Sequence, residues 1–209
     1  MLRKGSRAVK DSDPESVPLA VFLLVKGKFI VAPTDTIYGI LADALNYDSV
    51  TGLKRLRRPS GRPFIVLIPD LSWVAKLGLE ARKENLKLLS LPGITVVFRK
   101  KTGLYHWLGV DTLAVRYPRR GFIYRLLKRY GKPLVAPSAN PEGLPPARDV
   151  GEAMGYFGDA VSLYVDGGRI EGTPSTIIKV EGKPEVIRRG SLSPDSLRRL
   201  LRLQSPFPD

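Results

Sequence analysis

The feature that most constrains this chain is a set of short, wholly apolar runs, several of them stopped by proline. Phe29-Ile30-Val31-Ala32 ends at Pro33, and Phe64-Ile65-Val66-Leu67-Ile68 lies between Pro63 and Pro69. Ile94-Thr95-Val96-Val97-Phe98 and Pro133-Leu134-Val135-Ala136 repeat the pattern. A strand with one wet face alternates polar and apolar residues, so unbroken runs of this kind need cover on both faces. Helical patterns are available to supply it. Val17, Ala20, Val21, Leu24 and Val25 recur at helical spacing within 14–26, and Gly27 supplies a stop. Further helices are expected over 50–58, over 71–91 with a break near Gly78, and over 121–130, 150–157 and 194–203. Shorter strands are expected at 112–115, 162–165, 176–180 and 186–188. Strands and helices intermix without strict βαβ alternation, which predicts an α/β fold built on a twisted mixed sheet with flanking helices. The 209 residues suit one such domain over 14–203, with a polar leader at 1–13 and a tail at 204–209.

Charge narrows the partners. Lysine and arginine number 34 against 20 acidic residues, a net charge of +14 that attracts polyanions and steers anionic substrates. Nucleic acid, nucleotide and pyrophosphate all fit, as does a merely well-solvated surface. The chain has no cysteine, which excludes disulfides, thiolate metal sites and a cysteine nucleophile. The apolar stretch 17–25 is interrupted by Pro18 and falls short of the roughly 20 residues of a membrane helix. No secretory pattern opens the sequence, so the cytoplasm is the expected compartment, with no membrane partner. Neither a Walker-type phosphate loop nor a dinucleotide fingerprint is present. The single histidine, His106, sits between Tyr105 and Trp107 and reads as a packing residue; nothing around it has metal-ligand spacing, and no metal site is expected.

What remains is a series of loops placed directly after buried strands, the end at which open α/β sheets bind ligands. Pro33-Thr34-Asp35-Thr36-Ile37-Tyr38-Gly39 offers the hydroxyls of Thr34, Thr36 and Tyr38, and Gly39 lets backbone come close. The same residues also suit a self-capped turn. Lys54-Arg55-Leu56-Arg57-Arg58-Pro59-Ser60-Gly61-Arg62 could grip phosphates or a carboxylate through arginine forks, or form a solvated helix end. Ser138 and Asn140, in Pro137-Ser138-Ala139-Asn140, can present a hydroxyl and an amide to one ligand or build an ordinary turn. Ser175 and Thr176 follow Asp166-Gly167-Gly168 and can touch phosphate oxygens or cap a turn. Arg116 and Arg188 each end an apolar strand, where a cation either snorkels outward or points at a carboxylate.

Each signal is weak alone, but their order is specific. Pro-Thr-Asp-Thr-Ile-Tyr-Gly, Arg-Pro, Pro-Gly-Ile-Thr at 92–95, Leu-Ala-Val-Arg, Pro-Ser-Ala-Asn, Asp-Gly-Gly, Pro-Ser-Thr and Ile-Arg-Arg-Gly follow one another as in the YrdC-like domain family. The sequence resembles that family from about Val17 to Ser191. The resemblance implies a twisted α/β sheet with a large, basic concave cleft. It also implies threonylcarbamoyl-AMP synthase activity: condensation of L-threonine with bicarbonate and adenylation of the carbamate by ATP, with Mg2+ on the triphosphate. The product then goes to proteins that modify tRNA. Carried over by position, Thr34, Thr36, Tyr38 and Arg116 line the threonine pocket, with Arg116 on the carboxylate. Arg58, Arg62, Thr112, Ser138, Asn140, Ser175, Thr176 and Arg188 face ATP, and Arg58 is the implied catalytic cation.

Such a reaction needs no side-chain nucleophile, because the carbamate oxygen attacks phosphorus; positioning and charge stabilisation suffice. The sequence departs from the family in one region. The family's Lys-x-Arg-Pro is Leu56-Arg57-Arg58-Pro59 here, and a family histidine is matched by Leu67. Lys54, Arg55, Arg57 and Arg62 are the candidates to replace the missing lysine. The additional C-terminal domain of the longer synthases is expected to be absent. Two alternatives accompany this reading: a non-catalytic relative that binds tRNA or double-stranded RNA through its positive charge, and an adenylating enzyme for another carbamate. The synthase reading requires Thr34, Arg116, Ser138 and Ser175, distant in the chain, to converge on one hollow.

Overall fold

The computed structural model describes residues 7–57, 62–101, 103–182, 184–193 and 195–196. Its strands are β1 (Arg7–Lys10), β2 (Ile30–Pro33), β3 (Tyr38–Asp43), β4 (Val66–Leu67), β5 (Ile94–Arg99), β6 (Thr112–Arg116), β7 (Leu134–Val135), β8 (Leu163–Asp166), β9 (Thr176–Lys179) and β10 (Glu185–Arg188). The helices are α1 (Ser16–Val25), α2 (Tyr47–Arg57), α3 (Ser72–Lys76), α4 (Lys83–Leu89), α5 (Gly121–Tyr130) and α6 (Val150–Phe157). All ten strands join one sheet in the order β1-β8-β2-β3-β7-β4-β6-β5-β9-β10. Pairings are mixed: β1/β8, β2/β8, β4/β6 and β5/β9 run parallel, and the remaining five are antiparallel. The expected mixed α/β sheet is what forms.

The apolar runs behave as their composition demands. Successive side chains of a strand point to opposite faces, and here both faces are dry. Ile30 and Ala32 enter one core cluster and Val31 the other; Leu41 opposes Ile40 and Ala42, Leu134 opposes Val135, and Leu163 and Val165 oppose Tyr164. On one face α1 and α5 supply Ala20, Leu24, Phe122, Ile123, Leu126 and Leu127. The other face is covered by α2, α3, α4 and α6 through residues such as Leu53, Val74, Leu89 and Phe157. The N-terminus of α6 is fixed by Asp149, whose side chain accepts from the Glu152 N–H at 2.9 Å.

The two faces are not covered equally, and this makes the cleft. Leu113 and Val115 of β6 point into the α2/α4/α6 core. Thr112, Ala114 and Arg116 therefore lie on the face that α1 and α5 cover farther along the sheet. Among the described residues, the apolar cluster beneath α1 and α5 includes none of β5, β6 or β9, and those strands floor an open cavity.

Two strands were not anticipated. Arg7–Lys10 falls inside the expected leader but pairs in parallel with β8, with Ala8 opposite Tyr164. It buries almost nothing, so no apolar pattern betrays it; a short, charged strand is how proteins shield a sheet edge. The other, β3, begins inside the loop motif at Tyr38. Leu71 to Leu91 divides into α3 and α4 around Leu79, which bridges to Lys100. Only Val66–Leu67 of the 64–68 run pairs as strand. The expected helix 194–203 falls almost wholly outside the described residues.

Candidate active site

A cavity of about 310 Å3 opens over β6, β5 and β9, and its wall includes Thr34, Thr36, Tyr38, Thr112, Arg116, Ser138, Ser175 and Arg188. The four residues whose convergence the sequence reading requires are all present. The 33–39 loop reaches this wall because β2 and β3 form a hairpin, with Pro33 paired to Tyr38. The tip is tied by Thr34: its N–H donates to the Ile37 carbonyl at 3.1 Å and its hydroxyl to the same oxygen at 2.6 Å. Thr34 Oγ1 also accepts from the Thr36 and Ile37 N–H groups. The self-capped turn is thus also part of the cavity wall. Gly39 brings the second motif alongside: it bridges Ser138, and a Cβ on it would meet Thr34 Cγ2 at 3.1 Å.

Behind Ser138 stands Arg57, only 3% exposed at the end of α2. Its Nε donates to the Ser138 carbonyl at 2.8 Å, and Nη2 donates to Ser138 Oγ at 2.7 Å and to Asn140 Oδ1 at 3.2 Å. Because Ser138 Oγ accepts from a cation, its own O–H remains for an acceptor in the cavity. Elsewhere on the wall Arg188 makes a similar clasp. Its Nε and Nη2 donate to the Ser175 carbonyl at 3.2 and 3.0 Å, Nη2 also reaches Ser175 Oγ at 3.3 Å, and that hydroxyl lies 2.8 Å from Thr95 Oγ1. Two serine hydroxyls are therefore each set by an arginine.

At the floor, Arg116 points at a carboxylate rather than snorkelling: Nη2 donates to Asp35 Oδ2 at 2.7 Å, with side chains 5% and 6% exposed. A desolvated cation survives only when paired.

Other residues take supporting positions. The Tyr38 hydroxyl donates to the Gly168 carbonyl at 2.7 Å and accepts from the Gly167 N–H at 2.9 Å. Burial foremost pushes its ionisation above the ordinary tyrosine value. Tyr38 thus contributes a wall while its polar end anchors the Asp-Gly-Gly segment. Asn140 and Thr176 do not line the cavity. Asn140 Nδ2 donates to the carbonyls of Pro141 and Leu144, and Thr176 Oγ1 accepts from the N–H groups of Gly190 and Leu192; both shape the loops behind it. Arg62 is exposed, next to Pro63 of the wall. Arg58 lies outside the described residues. Of the lysine substitutes, Lys54 donates to the Trp107 carbonyl at 2.7 Å and Arg57 serves Ser138, while Leu67 is a fully apolar part of the wall. His106 stacks edge-on with Trp107. Asp35 is the site residue that sequence reasoning did not assign, and Arg57, considered only as a substitute for the missing lysine, instead holds Ser138; the one available signal for Asp35 is a carboxylate between two threonines directly after a buried strand.

No group of three or more His, Cys, Asp or Glu side chains converges among the described residues. No helix among them is long and apolar enough to cross a membrane.

Comparison with known proteins converges on one group. The family profile Sua5/YciO/YrdC, described as "Telomere recombination", matches residues 23–190. A threonylcarbamoyl-AMP synthase from Pseudoalteromonas translucida is 32% identical over 179 residues, covering 79% of this chain and 94% of the relative. One from Pyrococcus abyssi is 29% identical and covers 88% of this chain, which spans only 57% of that longer relative. The crystal structure of P. abyssi Sua5 complexed with L-threonine superposes with a TM-score of 0.85 at 27% identity, covering 92% of this chain and 59% of the other. E. coli YciO, at 22% identity and a TM-score of 0.78 over 92% of this chain and 98% of its own, shares the fold. The chain belongs to the Sua5/YciO/YrdC family.

Proposed function

We propose that this protein is a threonylcarbamoyl-AMP synthase, joining L-threonine, bicarbonate and ATP and releasing pyrophosphate. The observation that carries the reading is the convergence of Arg116, three threonines, Ser138, Ser175 and Arg188 on one cavity. The likeness to relatives bearing that name, and to a Sua5 bound to L-threonine, supports the substrate.

The chemistry follows from these side chains. Threonine's amine adds to the carbon of bicarbonate and water leaves, giving a carbamate. A carbamate oxygen then attacks the α-phosphorus of ATP, the bond to the β-phosphate oxygen breaks, and pyrophosphate departs. The reactant supplies its own nucleophile, so the protein must orient two anions and stabilise the charge on the phosphoryl oxygens. Arg116, Thr34 and Thr36 make the amino-acid end, with Arg116 on the carboxylate. Ser138, Thr112, Ser175 and Arg188 make the phosphate end, with the exposed Arg62 next to Pro63 of the wall and Arg57 fixing the serine from behind; the family resemblance assigns Arg58 the catalytic charge. Among the described residues no group of three or more acidic or imidazole side chains gathers; Mg2+ would enter on the triphosphate, whose oxygens suit it.

The product belongs where tRNA is modified, in the cytoplasm, and the net charge of +14 favours a tRNA or double-stranded RNA contact as a second property. Pyrophosphate release measured with each substrate omitted in turn tests the proposal. Release should require threonine, bicarbonate and ATP together. Release without threonine would point to another carbamate; no release, with salt-sensitive RNA binding, would point to the non-catalytic reading.

A further inference from the structure

Asp35 and Arg116 face different hollows. Arg116 lines the 310 Å3 cavity; Asp35 does not, and instead borders a separate hollow of about 300 Å3 with Ser90, Tyr117, Arg119 and Arg120. The carboxylate therefore stands behind the guanidinium as seen from the cavity. Both side chains are more than nine-tenths buried, and the contact uses only Arg116 Nη2 and Asp35 Oδ2. Arg116 Nε and Asp35 Oδ1 have no partner. With those two buried atoms unpartnered, the single Nη2–Oδ2 contact is the interaction that holds the guanidinium and the carboxylate together. The support is itself rigid: Asp35 lies inside the turn tied by Thr34, and a Cβ on Gly172 would fall 1.8 Å from the Thr36 carbonyl oxygen, so another loop is packed onto that turn.

We infer that Asp35 is a positioning residue of the amino-acid site: its carboxylate holds the Arg116 guanidinium from behind, leaving the guanidinium edge that lines the cavity for the carboxylate of the bound amino acid. The inference rests on the proposed function. It adds that the floor of the cavity is a neutral pair, so a zwitterionic ligand enters without leaving a net buried charge. Recognition then depends on orientation, which a fixed planar fork provides and a freely rotating cation does not.

The test uses the full chain, Asp35→Asn and Asp35→Ala, with threonine and ATP affinities measured separately by calorimetry and threonine-dependent pyrophosphate release on the same samples. Loss of one charge-assisted hydrogen bond should weaken threonine binding about tenfold or more in Asp35→Asn. ATP affinity should be unchanged, and the effect should appear in the threonine KM with kcat within about threefold. In Asp35→Ala, formate should restore part of the threonine affinity by entering through the hollow beside Tyr117. Unchanged or tighter threonine binding in Asp35→Asn would mean that the carboxylate competes with the ligand for Arg116, and would overturn the inference. An equal loss of ATP affinity, marking a general structural defect, would overturn it as well, as would failure of the unaltered protein to bind threonine. If the unaltered protein binds threonine but releases no pyrophosphate, the synthase reading fails alone, and the comparison of threonine affinities still decides the role of Asp35.

Discussion

Replacing Tyr38 with phenylalanine separates scaffold from substrate contact at a residue that the family resemblance assigns to the threonine pocket. The ring is fully buried, so the substitution keeps the packing and removes only the hydroxyl. That hydroxyl donates to the Gly168 carbonyl and accepts from the Gly167 N–H, at 2.7 and 2.9 Å. Its loss leaves two backbone groups without their partner, at a cost of about 1–3 kcal/mol. For a domain of this size each kcal/mol moves the melting temperature by about 2–4 °C, so a fall of roughly 2–12 °C is expected. Calorimetric melting of the two proteins, paired with threonine KM, is the assay. Lower stability with a threonine KM changed less than about threefold is expected. Unchanged stability with a threonine KM raised tenfold would refute the reasoning, since the hydroxyl would then be serving the ligand.

Arg57→Lys keeps the charge but loses the fork that holds the Ser138 carbonyl, Ser138 Oγ and Asn140 together; it should raise the ATP KM about tenfold or more, with little change in the threonine KM. Gly172→Ala drives a methyl into the Thr36 carbonyl and should cost about 1–3 kcal/mol in urea unfolding while lowering activity, because the displaced turn is cavity wall. Burial foremost raises the ionisation of Tyr38 and Tyr130 and pushes Tyr164 up to about 12. The folded state therefore holds these protons longer than the unfolded chain. Their contribution to stability is complete below the unfolded value of 10 and is lost as pH rises from 10 towards 12. Titration of tyrosinate absorbance should show three of the eight tyrosines ionising late, together with a falling urea midpoint; eight ordinary titrations would contradict the burial.

The sequence carried the parts of the fold that depend on local periodicity and on burial of whole runs. Helices over 121–130 and 150–157 appear with those bounds, because Gly121, Gly131 and Asp149 mark their ends in the chain. The strand Arg7–Lys10 was illegible, since an edge strand needs no apolar code and its pairing partner lies more than 150 residues away. Ile40-Leu41-Ala42 was equally hidden, lying directly behind a motif that reads as loop. At the site, the hydroxyl turns and Arg116 were readable as motif. Their wiring was not: Arg57 meets Ser138, and Arg116 meets Asp35, in each case across 81 residues. Arg116 at a strand end admitted either solvent or a carboxylate, and only tertiary structure supplies the carboxylate. The charge run 54–62 proved divided in use, with Lys54 on a carbonyl and Arg57 buried, a distinction that charge pattern cannot express.

In the proposed reaction one cavity brings an amino acid, bicarbonate and ATP into a single covalent product. Incubating the full chain with threonine, ATP and either ordinary or 13C-labelled bicarbonate, then reading the adenylate by mass spectrometry, measures this directly. One threonylcarbamoyl-adenylate species is expected, gaining one mass unit from the label and vanishing when any substrate is omitted. An adenylate that lacks the label, or one that forms equally well without threonine, would contradict it.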